Sequence, residues 1–272
     1  MSNNPIGFLD SGVGGLTVVK EALKQLPNET IYYVGDTARC PYGSRPVEQI
    51  REFTWDMVNF LLTKQVKMIV IACNTATAIV LDEIKEALDI PVVGVIKPGA
   101  RAALKLTQNN TIGIIGTKGT VNSGEYVHAI HSKCPNAEVT SLSCPKFVPI
   151  VESMQYQADI AKKVVEDTLS SFKRTDIDTL VLGCTHYPLL KPIIRDVLGP
   201  NVQLIDSGAE TVSEVSMLLD YYDISSIPTN SKKDHRFFMT GSKCMFDEIT
   251  NDWLGEVEHI SERILLPMED IK

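Results

Sequence analysis

The stretch Met68-Ile-Val-Ile-Ala-Cys-Asn-Thr75 decides the fold. Its apolar part shows no polar alternation, as expected of a strand covered on both faces. A cysteine and two polar residues then lead into an amphipathic segment, Thr75–Leu88. A strand running straight into a helix is half of a βαβ unit and implies a parallel sheet. The same alternation extends outward in both directions. Candidate strands are Ile6–Leu9, Ile31–Val34, Met68–Ala72, Val92–Val95, Thr111–Ile115, Glu138–Leu142, Thr179–Leu182 and Val202–Ile205. Helical patterns lie between them at Thr17–Gln25, Val47–Lys64, Asp159–Phe172 and Glu210–Tyr222.

The deciding stretch has an internal echo. Leu180-Val-Leu-Gly-Cys-Thr-His186 repeats the order strand, small residue, cysteine, polar residues, and places Cys184 111 residues after Cys73. Phe8-Leu-Asp-Ser-Gly12 and Leu204-Ile-Asp-Ser-Gly208 form a second matched pair. Two echoes in one chain predict two related α/β halves. Lys97-Pro98-Gly99 reads as the boundary between them, and the chain is expected to cross back near Asp206. A polar linker, Asp223–Asp234, then precedes an irregular tail.

Composition bounds the function. The 272 residues are 44% hydrophobic and 22% charged, as in an ordinary globular protein. The net charge of −8 and the absence of basic runs argue against a nucleic-acid or anionic-membrane partner. No apolar run approaches the roughly 18–20 residues of a bilayer span, and the first residues lack the features of a signal peptide. The cytoplasm is therefore the expected compartment, and the six cysteines are expected to be reduced. None has the spacing of a zinc knuckle or redox motif, so neither a metal site nor a disulfide framework is expected.

Ligands of open parallel sheets bind at the carboxyl ends of the strands. Asp10, Ser11, Asp36, Cys73, Asn74, Thr75, Cys184, Thr185 and His186 all fall there, with Pro41-Tyr42-Gly43 in the loop beyond Asp36. A cysteine before a helix N-terminus is a candidate for a lowered pKa. A lone cysteine also packs well at a crowded strand tip, but two in matched contexts favour chemistry. Facing each other across a cleft, two thiols could remove and return a proton on opposite sides of one carbon, inverting it without redox change. Asp10 or Asp36 could relay protons near Cys73, and His186 near Cys184. A histidine at this position is equally well a cap or a packed side chain, and the sequence leaves both open. Cys40 lies near the site without a strand–helix context. Cys134, Cys144 and Cys244 have no polar constellation.

Taken in order, Gly7-Phe-Leu-Asp10-Ser11-Gly-Val-Gly-Gly15, Gly35-Asp36, Pro41-Tyr42-Gly43, Ala72-Cys73-Asn74-Thr75-Ala76 and Gly183-Cys184-Thr185-His186-Tyr187-Pro188 closely resemble the bacterial glutamate racemases. The resemblance covers essentially the whole chain. It implies two α/β domains, 1–97 plus 207–272 and 98–206, with the active site in the cleft between them. It implies cofactor-independent racemisation of glutamate, supplying D-glutamate for peptidoglycan, by a homodimer. Cys73 and Cys184 become the acid/base thiols, the first serving the D-enantiomer and the second the L-enantiomer. Asp10, Glu152 and His186 become auxiliary groups. Asp10, Ser11, Tyr42, Gly43, Asn74, Thr75, Thr185 and His186 become substrate contacts. Glu152 enters through the short match Pro149-Ile-Val-Glu152. Charge development beside a carboxylate calls for preorganised donors. Ser11, Asn74, Thr75 and Thr185 supply them, and Asp10 suits the substrate ammonium.

Three rivals remain. Gly12-Val-Gly14-Gly15 with Asp36 imitates a dinucleotide fingerprint, but position 17 is threonine and Asp10 would face the pyrophosphate. A two-lobed binding module would not need paired thiols. A sister racemase for aspartate shares the cysteine motifs, although the Cys184-Thr-His-Tyr-Pro188 version favours glutamate.

Overall fold

The structure is a computed structural model describing residues 2–228 and 232–267. Among these residues ten strands run in chain order: β1 (Ile6–Asp10), β2 (Ile31–Gly35), β3 (Met68–Ile71), β4 (Val92–Gly94), β5 (Thr111–Gly116), β6 (Glu138–Ser143), β7 (Thr179–Gly183), β8 (Gln203–Asp206), β9 (Arg236–Met239) and β10 (Ile260–Arg263). They form two sheets, ordered β10-β9-β2-β1-β3-β4 and β6-β5-β7-β8. Every pairing is parallel. The helices are α1 (Leu16–Gln25), α2 (Val47–Thr63), α3 (Asn74–Ala87), α4 (Ile96–Leu106), α5 (Lys118–Ser123), α6 (Glu125–His131), α7 (Phe147–Glu152), α8 (Asp159–Leu169), α9 (Lys191–Leu198), α10 (Ser207–Tyr221) and α11 (Lys243–Leu254).

The expected doubly covered α/β architecture is present. The central strands β1, β3 and β7 are buried along their whole length, which is why their sequences are continuous apolar runs. All eight candidate strands appear within a residue or two of their expected ends. The tail is more regular than expected. Strand β9 pairs beside β2, and β10 closes that edge. The polar segment Asp223–Asp234 leads to them, and its residues 229–231 lie outside the described ones.

Lys97-Pro98-Gly99 sits inside the first turn of α4 rather than in a loop. Proline is tolerated there because the first helical N–H groups have no intrahelical partner. The buried face of α4 is Pro98, Gly99, Ala100, Ala102 and Ala103. Small residues let α10 and α6 pack closely against it. After β8 the chain enters α10, which packs on both α1 and α4. One apolar cluster runs continuously from Phe8 and Val70 of the first sheet to Leu180, Leu182 and Tyr187 of the second sheet and its following turn. It fixes how the two sets of strand tips face each other. Near the start of β3, Lys67 is buried and donates to Glu29 Oε2 at 2.6 Å, Ser2 O at 2.6 Å and Ile224 O at 2.7 Å. That ion pair ties the chain start to the segment after α10.

Candidate active site

Asp10 ends β1 with no solvent exposure. Its carboxylate accepts from the Gly12 N–H at 3.0 Å and from Thr185 Oγ1 at 3.3 Å, the second contact coming from the other sheet's strand tip. Burial raises its pKa above the ordinary aspartate value, opposed by nearby His186 and by hydrogen bonds from the backbone and Thr185. Asp206 repeats the motif, its side chain accepting from Gly208 N–H at 2.9 Å. The Asp-Ser-Gly echo is thus one local geometry used twice.

Cys73 N-caps α3, and its sulfur accepts from the Ala76 N–H at 3.5 Å. Its thiol donates to Ser11 Oγ at 3.6 Å. The lowered pKa expected at a helix start is not found. Burial first and the Asp10 charge second push this thiol up to about 12, outweighing the two hydrogen bonds. Cys184 differs in its backbone. It is followed by a single 3₁₀ turn, Tyr187–Leu190, instead of the α-helix expected there. Pro188 and Pro192 remove N–H groups that a continuous helix ladder would need.

What Cys184 has instead is a histidine. His186 Nδ1 lies 3.7 Å from Cys184 Sγ, and Nε2 lies 2.9 Å from Glu152 Oε1. Burial disfavours the imidazolium, yet the bonds to Cys184 and Glu152 and their charges raise His186 to about 10. Glu152 is held below its usual value: burial opposes this, but the His186 bond and charge and a bond from Cys40 prevail. Cys40 Sγ donates to the same Glu152 Oε1 at 3.6 Å. Burial and the Glu152 charge push the Cys40 thiol far up, so it stays protonated.

A narrow cleft brings Ser11, Tyr42, Gly43, Cys73, Asn74, Thr75, Cys184, Thr185 and His186 together. Asp10 and Glu152 stand behind this wall, touching it through Thr185 and His186. Asp36 does not reach Cys73. It accepts from the Tyr42 hydroxyl, from Arg39 Nε at 2.6 Å and from Thr240 Oγ1 at 2.8 Å, so it anchors the Tyr42 loop. Glycines let the walls meet. A Cβ at Gly14 would stand 2.3 Å from Thr185 Oγ1 and 2.5 Å from the His186 ring.

Sequence reading missed Thr117, which lines the same cavity. It caps α5, and its hydroxyl lies 2.9 Å from Thr75 Oγ1 and 3.1 Å from Thr120 Oγ1. Its signal was its place: it directly follows the strand tip of β5. Asn74 Oδ1 accepts from Tyr126, whereas its buried Nδ2 has no partner. Among the described residues, no three His, Cys, Asp or Glu side chains converge as a metal site. No described helix is long and apolar enough to cross a membrane.

The model of the Asp/Glu/Hydantoin racemase family matches residues 10–215. A glutamate racemase of Enterococcus faecalis (strain ATCC 700802 / V583) is 65% identical over 256 residues, 94% of each chain. The crystal structure of glutamate racemase isoform RacE1 from Bacillus anthracis superposes with a TM-score of 0.94 at 45% identity, covering 99% of this chain and 100% of that one. The glutamate racemase of Francisella tularensis subsp. tularensis SCHU S4, solved in complex with D-glutamate, gives 0.90 at 38% identity over 97% and 98% of the two chains.

Proposed function

The chain belongs to the Asp/Glu/Hydantoin racemase family, and from that premise we propose that it interconverts L- and D-glutamate by passing the α-proton between Cys73 and Cys184. The observation that carries the reading is one cavity walled by two cysteines from the tips of two different sheets. The complex of a 38%-identical relative with D-glutamate supports the substrate.

The two thiols have different surroundings, and the scheme uses the difference. Cys184 contacts His186, which is cationic near neutrality and can stabilise a thiolate. Cys73 is held protonated by burial and by Asp10. The Cys184 thiolate takes the α-hydrogen of L-glutamate as a proton, forming S–H and leaving the electron pair on the α-carbon. The Cys73 S–H then breaks, and its proton forms the new C–H bond on the opposite face. D-glutamate runs the same steps backwards, from the form in which Cys73 is the thiolate and Cys184 carries the proton. His186 with Glu152 serves Cys184, and Asp10 serves Cys73. Charge builds on the substrate as the α-proton leaves, and preorganised donors oppose it at no reorganisation cost. Ser11, Asn74, Thr75 and Thr185 are those donors, with Tyr42, Gly43 and His186 as further contacts. Asp10 accepts from the substrate ammonium. No cofactor enters the scheme.

The family reading extends to a domain division of 1–97 plus 207–272 against 98–206, to a cytoplasmic homodimer, and to a product used in peptidoglycan synthesis. The chemistry is tested by incubating the purified chain with L-glutamate in heavy water, without additions. Deuterium should enter the α-carbon as optical rotation decays, and aspartate should not substitute. Cys73→Ser and Cys184→Ser should each lower the rate by about 10²–10⁴-fold. Full racemisation by both variants, or a cofactor requirement, would defeat the scheme.

A further inference from the structure

Asn74 is the first residue of α3, directly after Cys73, and only 2% of it is exposed. Its Oδ1 accepts from the Tyr126 hydroxyl at 2.7 Å. Its Nδ2 is buried without a partner although the residue walls the cavity. A buried amide nitrogen left unpaired is destabilising, and a cavity wall is where such a group is kept for an incoming acceptor. An amide has two different ends, however. Turned over, Asn74 would show its carbonyl oxygen to the cavity and repel a carboxylate.

Tyr126 comes from α6, in the half that carries the second sheet, and it is fully buried. The Ser207 hydroxyl, at the first residue of α10, lies beside this phenol and donates to Leu182 O at 3.4 Å. The phenol gives its own proton to Asn74. Gly99 makes the room: a Cβ there would stand 2.8 Å from Ser207 Cβ and 3.4 Å from Tyr126 Oη. Two motifs without a part in the proton transfer, Lys97-Pro98-Gly99 and Asp206-Ser207-Gly208, therefore converge on this phenol.

We infer that Tyr126 is a positioning residue whose hydroxyl sets the Asn74 amide with its N–H toward a carboxylate oxygen of the substrate. Burial holds the phenol well above its usual range, so it remains a donor throughout the working pH range. The inference rests on the reading of Asn74 as a substrate contact.

The test is a double-mutant cycle on steady-state racemisation with Tyr126→Phe, Asn74→Ala and the pair. Thermal midpoints serve as the folding control. Tyr126→Phe should lower kcat/KM about tenfold, mainly through KM, as expected for one hydrogen bond to a charged group. In the Asn74→Ala background the same change should alter kcat/KM by less than about twofold. Tyr126→Leu also lacks the donor and should show the same dependence on Asn74, and it decides the matter if Tyr126→Phe does not fold. An unaffected Tyr126→Phe, or an equal loss with and without Asn74, overturns the inference. If Asn74→Ala alone keeps full kcat/KM, the substrate-contact reading fails and the inference falls with it. If Asn74→Ala is impaired and Tyr126→Phe is not, only the inference fails.

Discussion

Glu152→Gln keeps the shape of the side chain and removes its charge. His186 is clamped between Cys184 Sγ at 3.7 Å and Glu152 Oε1 at 2.9 Å, with Asp10 nearby. Burial works against its charge, yet these partners raise its pKa from 6.5 to about 10. At about 1.4 kcal/mol per pH unit, the rise corresponds to about 5 kcal/mol of preference for the imidazolium. Because burial opposes the charge, the two partners together supply more than this net value, so half of the net, trimmed for the partial exposure of Glu152, is a lower bound of about 2 kcal/mol for that carboxylate. Without it, His186 should lose its proton at about pH 8 or below instead of near 10. The imidazolium supports the Cys184 thiolate, so the alkaline limb of the rate profile should move down by at least about 1.5 pH units. The profile of kcat/KM between pH 6 and 10 reads this directly. The equilibrium constant between enantiomers is unity, so the L and D substrates must give the same profile. The fold should report the same event. A raised histidine pKa contributes stability that is complete below about pH 6.5 and is lost as pH rises through the folded value. In Glu152→Gln that loss should be over by about pH 8. An alkaline limb that stays in place, or one that moves upward, would refute the assignment of Glu152 as the partner that charges His186.

Gly14→Ala places a methyl group inside the radii of Thr185 and His186. It should cost about 1–3 kcal/mol in denaturant unfolding and reduce activity together with stability. Thr117→Val removes a hydroxyl that meets Thr75 across the cavity and Thr120 in its own helix. Steady-state kinetics should show KM raised about fivefold, equivalent to about 1 kcal/mol, with kcat little changed. Lys67→Met leaves buried Glu29 uncompensated and should cost about 3–5 kcal/mol in urea. Adding Glu29→Gln should recover much of the loss, and no recovery would mean that Lys67 acts through its backbone contacts alone.

The central strands β1, β3 and β7 were legible because burial on both faces demands an unbroken apolar run, whereas β9 was missed although Phe237, Phe238 and Met239 are buried. Strand β10, Ile260-Ser-Glu-Arg263, was not: it is an exposed edge, and its polar residues carry no such pattern. Helix α4 was hidden because Pro98 and Gly99 spell a break locally, while their real reason is the neighbour they accommodate, Ser207. Most of the cavity wall was readable from strand tips, with Tyr42 and Gly43 added by the loop beyond Asp36. The electrostatics were not, since the thiol state of Cys73 follows from depth and from Asp10, and neither is visible in Cys73-Asn-Thr75. Thr117 escaped because a threonine that caps a helix looks ordinary until a second threonine arrives from the other sheet.

The apolar cluster shared by the two sheets has a consequence for how the molecule comes apart. A repeated architecture suggests two modules that could melt one after the other. Here Phe8 and Val70 share their packing with Leu180 and Tyr187, and α10 rests on α1 and α4 together. Neither module can lose its interior without exposing the other's. Calorimetry should therefore record one cooperative transition, with the van't Hoff enthalpy equal to the calorimetric one. Either half produced alone should expose the apolar surface that its counterpart now covers. A site assembled from two repeats is in this way protected from the independence of its parts.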